Sequence, residues 1–174
     1  MTATTLTPAG ADGNVPGLWS ELHRATAAAA RKHGPEFIAH RSQPDHTRLA
    51  ILAEEIGEAA KAILVDFDDL RDELIDVAVC AIAWGQILHW RDLQCVMEVH
   101  TLRYGDHAVD SPHMPHGLRL AHLLEAAGRV GLAVTYSTIG SPEVWDFVLR
   151  AALLDIAAIA CSWIEAHDAE QSLR

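Results

Sequence analysis

Residues 49–84, with the sequence LAILAEEIGEAAKAILVDFDDLRDELIDVAVCAIAW, decide the fold of this protein. Apolar residues recur every three or four positions on both sides of a short acidic stretch at 66–69, which is the spacing of one face of an α-helix. An alternating strand pattern does not reach five residues anywhere in the chain. The stretch therefore predicts two antiparallel helices joined by a tight turn, in an all-α protein.

The rest of the chain extends this helical pattern. Glycine, proline and acidic turns divide it into five main predicted helices, at about 18–33, 45–64, 69–89, 118–136 and 143–167. An Asp or Thr between Asp45 and Thr47 is expected to cap the second helix. Helical character continues or restarts at 90–103, and a histidine-rich loop is expected at 104–117.

Composition limits the class of protein. The chain has 174 residues, half of them apolar, and a formal charge of −11 with only 13 Lys and Arg. This predicts a single all-α domain at 18–170 after a disordered tail at 1–17, and argues against nucleic-acid binding, which requires a basic surface. The longest apolar stretch is far shorter than the roughly 20 residues of a membrane span, and the start does not resemble a signal peptide. We expect a cytoplasmic protein without a membrane partner.

An internal repeat is visible in the helical segments. Two pairs of segments align without gaps: 49–63 with 120–134, and 74–84 with 153–163. The alignment matches Gly57 with Gly128 and Trp84 with Trp163, although Ala- and Leu-rich helices can also align by chance. We predict a helical bundle built from two related antiparallel hairpins.

The first hairpin, at 48–90, carries four acidic residues at helical spacing: Glu55, Glu58, Glu73 and Asp76. Residues three apart share a helix face, so each helix presents one pair. With a rise of about 1.5 Å per residue, Glu58 and Glu73 lie roughly 7–9 Å from the turn, and Glu55 and Asp76 roughly 12–14 Å from it. The four carboxylates can therefore form one site, with a solvated acidic face as the alternative.

Clustered carboxylates at an apolar face repel one another unless a cation compensates them. Oxygen ligands without a neighbouring His or Cys favour Mg²⁺, with Mn²⁺ as an alternative, over Zn²⁺. The sequence therefore predicts a hard divalent metal site, although it does not determine the number of ions.

Two motifs resemble those of the MazG-like superfamily of all-α nucleoside triphosphate pyrophosphohydrolases. They are EEIGE at 54–58 and ELID at 73–76, the second within the segment FDDLRDELIDVAV. The degenerate second repeat, at 118–167, resembles the dimeric dUTPase branch of that superfamily. The resemblance implies Mg²⁺ bound by Glu55, Glu58, Glu73 and Asp76, with Glu54 as a candidate general base. It also implies cleavage of a nucleoside triphosphate to monophosphate and pyrophosphate, in a homodimer.

The second repeat departs from the motif. Ala126, Arg129 and Ala152 stand where the first repeat has Glu55, Glu58 and Glu73. The second hairpin therefore cannot hold the same metal, and we expect one site in each chain.

Three further residues are candidates for substrate binding: Lys61, Trp84 and Arg129. Each has an ordinary structural alternative: an exposed helix lysine, a core tryptophan and an ion-paired arginine. The nucleobase is not determined, and a role in removing non-canonical nucleotides is compatible with the motif. The functional alternatives are a phosphoribosyl-ATP pyrophosphohydrolase-like enzyme, a catalytically silent nucleotide- or metal-binding regulator, and a purely structural helical protein.

Overall fold

The computed structural model describes residues 17–34, 37–40, 42–105, 108–111, 113–137, 139 and 141–173. The expected disordered tail at 1–17 lies outside these residues except for Gly17. Part of the expected histidine-rich loop, including His107, also lies outside them.

Within these residues the protein is an all-α bundle of six helices, without strands. The helices are α1 (Gly17–His33), α2 (Asp45–Val65), α3 (Leu70–Gly85), α4 (Trp90–Tyr104), α5 (His116–Tyr136) and α6 (Pro142–Ser172). A 3₁₀ turn, Phe67–Asp69, connects α2 to α3. The prediction of an all-α bundle is confirmed.

The central pair of helices is α3 and α6, which pack against each other and against most of the remaining helices. Nearly every residue of α3 from Leu74 to Gly85 is buried, as expected for a helix that is apolar on all sides. α2 and α1 cover α3, α5 and α4 cover α6, and α2 also packs against α5. The bundle therefore has an inner pair of helices between two outer pairs.

α6 is 31 residues long and apolar enough by length and composition to cross a membrane. In the bundle, 61% of its most apolar window is buried against other helices. This burial is what a core helix of a folded domain requires, so the same residues serve as the centre of the bundle.

One predicted helix end and one predicted helix cap were wrong. α3 ends at Gly85 instead of continuing to residue 89, because Gln86 takes left-handed backbone with a φ of 51° and its N–H bonds to the carbonyl of Ile82. Pro44 precedes α2 and provides no side-chain cap. The Asp45 carboxylate, expected near the cap, instead accepts a hydrogen bond of 3.2 Å from Arg48 Nη1.

The segment at 90–103, for which the sequence left the choice open, forms a separate helix, α4. α4 is the counterpart of α1, so each repeat contains three helices and not only a hairpin. Trp19 of α1 and Trp90 of α4 occupy equivalent positions and meet with ring centroids 5.9 Å apart. The helices end in the same way, at Gly34 and Gly105, whose φ values are 52° and 53°.

The loops that follow these glycines also share their hydrogen bonds. Arg48 Nη2 donates to the carbonyl of His40 at 2.8 Å, and Arg119 Nη2 donates to the carbonyl of Ser111 at 2.7 Å. Each arginine lies in the first turn of the helix after its loop and ties the loop back onto that helix. The duplication thus extends to the hydrogen bonds between each loop and the helix that follows it.

Candidate metal centre

The α2–α3 turn is held against the second repeat by an aromatic contact. The ring of Phe67 lies 4.9 Å from that of His116 at the start of α5, and 5.5 Å from that of His167 near the end of α6. His116 is itself oriented by Trp163, whose Nε1 donates to its Nδ1 at 3.0 Å. Because the turn is anchored, the facing sides of α2 and α3 keep a defined register.

That register brings together the predicted carboxylates. Glu55 and Glu58 on α2 and Glu73 on α3 each offer an oxygen, and these oxygens all lie within 4.8 Å of one another. Glu55 and Glu73 are half-buried and Glu58 is exposed. Asp76 lies one turn further along α3, outside this group but close enough that its charge acts on Glu55. We refer to Glu55, Glu58, Glu73 and Asp76 as the acidic cluster.

The cluster is electrostatically strained in the absence of a cation. Burial raises the pKa of Glu55 to about 7, and the charges of Asp76, Glu58 and Glu73 add to this rise. Burial and the charges of Glu58 and Asp76 also raise the pKa of Glu73. The ionised form of these carboxylates is therefore disfavoured by the fold itself.

The pKa of Asp76 is also raised, although one neighbouring charge lowers it. Partial desolvation and the charges of Asp72 and Glu58 raise its pKa, whereas the ammonium of Lys32 lowers it. Asp76 is exposed, so water screens these charges. Lys32 belongs to the last turn of α1, and its charge acts on Asp76 of the acidic cluster. Lys32 was not among the predicted site residues, and the basic run Arg31–Lys32–His33 before Gly34 was the available signal.

Cys80 is a buried thiol of α3 within electrostatic range of the acidic cluster. Its pKa is raised by burial first and then by the charges of Glu55 and Asp76. A thiol in this environment stays protonated and contributes no charge that could compensate them.

Among the described residues, the side chains of Lys, Arg and His form no ion pair with the acidic cluster. Three converging carboxylates are the donor set that a hard divalent cation neutralises, and they offer only oxygen ligands. The residues present therefore fit Mg²⁺ or Mn²⁺, whose binding would offset the burial and the repulsion that raise the pKa values of Glu55 and Glu73.

The other candidate residues occupy different environments. Glu54 is exposed next to the cluster, and its charge contributes to the raised pKa of Glu55. Lys61 is exposed one turn beyond Glu58 and pairs with no described residue. Trp84 is buried in the core and keeps 6% of its surface exposed, as core packing requires.

Arg129 lies at the position in the second repeat that corresponds to the acidic cluster. It donates from Nη1 to Glu125 at 3.0 Å and from Nη2 to Asp155 at 2.7 Å. His100 Nε2 approaches the other oxygen of Asp155 at 3.6 Å. The guanidinium thus pairs with the two acids that the second repeat retains, and its ion pair with Asp155 connects α5 to α6.

A groove of about 540 Å³ lies elsewhere, between α4 and α6, and its lining includes Trp90, Met97 and Glu165. It contains no residue of the acidic cluster. We place the candidate site at the cluster because converging carboxylates supply metal-binding chemistry, whereas concavity alone does not.

Comparison of this chain with protein-family models, with curated proteins and with solved structures returned no match.

Proposed function

We propose that the protein is a Mg²⁺-dependent nucleotide pyrophosphohydrolase, acting in the cytoplasm on a nucleoside triphosphate. The observation that carries the proposal is the convergence of Glu55, Glu58 and Glu73 within 4.8 Å, with raised pKa values for Glu55 and Glu73. No cationic side chain in the described part of the chain forms an ion pair with them. The motif resemblance supplies the reaction, and the geometry supplies the reason why a cation would bind here.

In this proposal the acidic cluster holds the metal, and the exposed Glu54 accepts a proton from the attacking water. A divalent cation held there would neutralise phosphate charge and make the attacking water more acidic. The water oxygen forms a bond to the α-phosphorus while the bond to the α–β bridging oxygen breaks, and pyrophosphate leaves. Lys32, exposed beside Asp76, is suited to contact the outer phosphates, since it supplies positive charge near an otherwise acidic surface.

The test measures monophosphate and pyrophosphate release from canonical and modified nucleoside triphosphates, and from phosphoribosyl-ATP, with Mg²⁺ and with EDTA. Glu58→Gln and Glu73→Gln preserve side-chain size and remove charge, so we expect the variants to fold and to lose at least about 100-fold in kcat/KM. Glu125→Gln is the matched control in the second repeat, and it should retain wild-type turnover.

Each outcome separates the alternatives. Turnover of phosphoribosyl-ATP alone would favour the phosphoribosyl-ATP pyrophosphohydrolase-like enzyme. Nucleotide binding without pyrophosphate release would favour a silent regulator. If the folded wild-type protein shows neither turnover nor a Mg²⁺-dependent increase in Tm, both the enzyme and the metal site are wrong.

A further inference from the structure

The groove between α4 and α6, which we call the α4–α6 groove, has the dimensions of a ligand site. Its volume of about 540 Å³ is in the range of pockets that hold small molecules in proteins. Trp90 and Leu102, near the two ends of α4, both line it, so the groove follows that helix for about 18 Å. This length suits an extended ligand better than a compact one.

The charged side chains that line the α4–α6 groove are all acidic. They are Glu98 of α4, Asp110 of the loop before α5 and Glu165 of α6, and no Lys, Arg or His among the described residues joins them. None of the three carboxylates forms an ion pair with a described residue. Burial, followed by the charges of Asp110 and Asp168, raises the pKa of Glu165. The groove therefore carries negative charge that the described side chains do not compensate.

The three carboxylates come from three different elements and do not converge on one point. In the candidate metal centre three carboxylate oxygens lie within 4.8 Å of one another, whereas Glu98, Asp110 and Glu165 form no such group. One metal ion therefore cannot bind all three, but a ligand with several separate positive charges can. Two of the acids are held in place by hydrogen bonds, Glu98 from Gln94 at 3.0 Å and Asp110 from Thr101 at 2.8 Å.

Apolar side chains accompany the acids. Trp90 and Met97, both partly buried, line the groove from α4, and Leu102 keeps 85% of its surface exposed there. The ring of Trp90 is positioned by Trp19, whose ring centroid lies 5.9 Å away. Methylene groups pack favourably on such side chains, and an ammonium group over a tryptophan ring gains cation–π attraction. A cation with aliphatic segments therefore fits this surface better than a hydrated inorganic ion does.

A buried hydroxyl also lines the groove. Ser162 of α6 keeps only 5% of its surface exposed, and its Oγ forms no hydrogen bond with a described residue. Other hydroxyls inside helices of this protein donate to the carbonyl four residues earlier, as Thr26 does to Leu22 at 2.8 Å. Because an unpaired buried hydroxyl costs free energy, Ser162 is a contact that a ligand in the groove would satisfy. This observation is independent of the acidic residues.

We propose that the α4–α6 groove binds a linear aliphatic polyamine. Its ammonium groups pair with Glu98, Asp110 and Glu165, its methylene groups pack on Trp90, and one of its N–H groups donates to Ser162 Oγ. The proposal is independent of the reaction catalysed, because the groove contains no residue of the acidic cluster.

The test is isothermal titration calorimetry of the full-length protein with spermidine, at about 0.15 M salt and with saturating Mg²⁺. The salt screens non-specific attraction to a chain with a formal charge of −11, and Mg²⁺ competes for the acidic cluster. We expect one site in each chain, with a Kd in the micromolar range. Glu165→Gln and Asp110→Asn should each raise that Kd by at least about 10-fold, because each removes the charge from one hydrogen-bonded ion pair.

Asp146→Asn is the matched control. It removes one charge from an exposed position of α6 outside the groove, about 28 Å along the helix from Glu165, and should leave the Kd for spermidine unchanged. Ser162→Ala tests the groove without changing its charge and should raise the Kd by about 2–10-fold. Circular dichroism and thermal melts without ligand establish that the variants are folded.

Absence of saturable spermidine binding to the wild type would overturn the proposal. Equal weakening in Asp146→Asn, or wild-type affinity in Ser162→Ala, would reduce the binding to attraction by net charge and would also overturn it. Binding that Glu73→Gln abolishes and Glu165→Gln does not would place the polyamine at the acidic cluster and refute the groove. Turnover of triphosphates is measured separately, so failure here leaves the proposed reaction standing.

Discussion

The two repeats carry side chains of different charge at equivalent positions. In the first repeat, Glu55, Glu58 and Glu73 converge without an ion pair to any described residue, and burial raises the pKa of Glu55 to about 7. In the second, Arg129 binds Glu125 and Asp155 directly. The second repeat supplies a cationic side chain at this position, whereas the side chains described in the first repeat supply none. This contrast is the reason we place the proposed function in the first repeat, since sequences without a functional demand tend to relieve such repulsion.

The largest effect is expected from converting the first site into a copy of the second. Glu55→Ala, Glu58→Arg and Glu73→Ala together reproduce the second-repeat residues and allow the new guanidinium to approach Glu54 and Asp76. We expect complete loss of turnover and of the Mg²⁺-dependent Tm increase. Without metal at pH 8 the variant should gain about 1–3 kcal/mol in unfolding free energy, because a repulsive cluster becomes a paired one.

Urea unfolding with EDTA measures this gain, and turnover of the best substrate measures the loss. Glu125→Gln again serves as the control from the other half. A metal-free triple variant less stable than the wild type would mean that the acidic cluster is not repulsive, and the contrast between the two repeats would fail.

An effect of intermediate size on the unfolding free energy is expected when the pH is varied. A carboxylate whose pKa is higher in the folded state than its usual 4.5 stabilises the fold fully below pH 4.5 and loses that contribution as the pH rises towards about 7. The unfolding free energy of the metal-free wild type, minus that of Glu55→Gln, should therefore fall between about pH 4.5 and 7 and stay level above it.

Other carboxylates titrate in the same interval, so the difference between the two proteins is the quantity to measure, again by urea unfolding in EDTA. Saturating Mg²⁺ should flatten it, because bound metal keeps Glu55 ionised. A difference that rises with pH would show that the Glu55 pKa is lowered and not raised.

The smallest effect is expected from Arg129→Ala. Arg129 and Asp155 are partly exposed, with 38% and 28% of their side-chain surface accessible, so solvent screens the ion pair. We expect a loss of about 0.5–1 kcal/mol, seen as a Tm decrease of roughly 1–4 °C, with turnover unchanged. A large loss of turnover at wild-type stability would instead assign Arg129 to substrate binding, as the sequence analysis allowed.

Much of the fold could be predicted because helical periodicity is strong here. The bounds of α2 and α5 were close to those observed, since each has one continuous buried face. The end of α3 could not be predicted, because Gln86 gives no sequence signal for left-handed backbone. The three-helix extent of the repeat was missed, because α1 and α4 share only a few residues, such as Trp19 and Trp90, whose role depends on their contact.

Part of the candidate site could likewise be predicted from the sequence, and part could not. Spacing along α2 and α3 predicted that Glu55, Glu58 and Glu73 could meet, because residues three apart share a face and the turn sets their heights. Spacing could not show that Lys32 of α1 lies beside Asp76, since that proximity depends on how α1 packs against α3.

The sequence by itself determined the all-helical class, the hairpin and the acid set, because these follow from short-range spacing along one or two helices. Only the tertiary structure decided which acids form no ion pair with a described residue and which pair with Arg129. It also decided that a groove opens between α4 and α6. Those outcomes depend on packing between helices distant in the chain, and the local pattern that specifies a helix does not encode its neighbours.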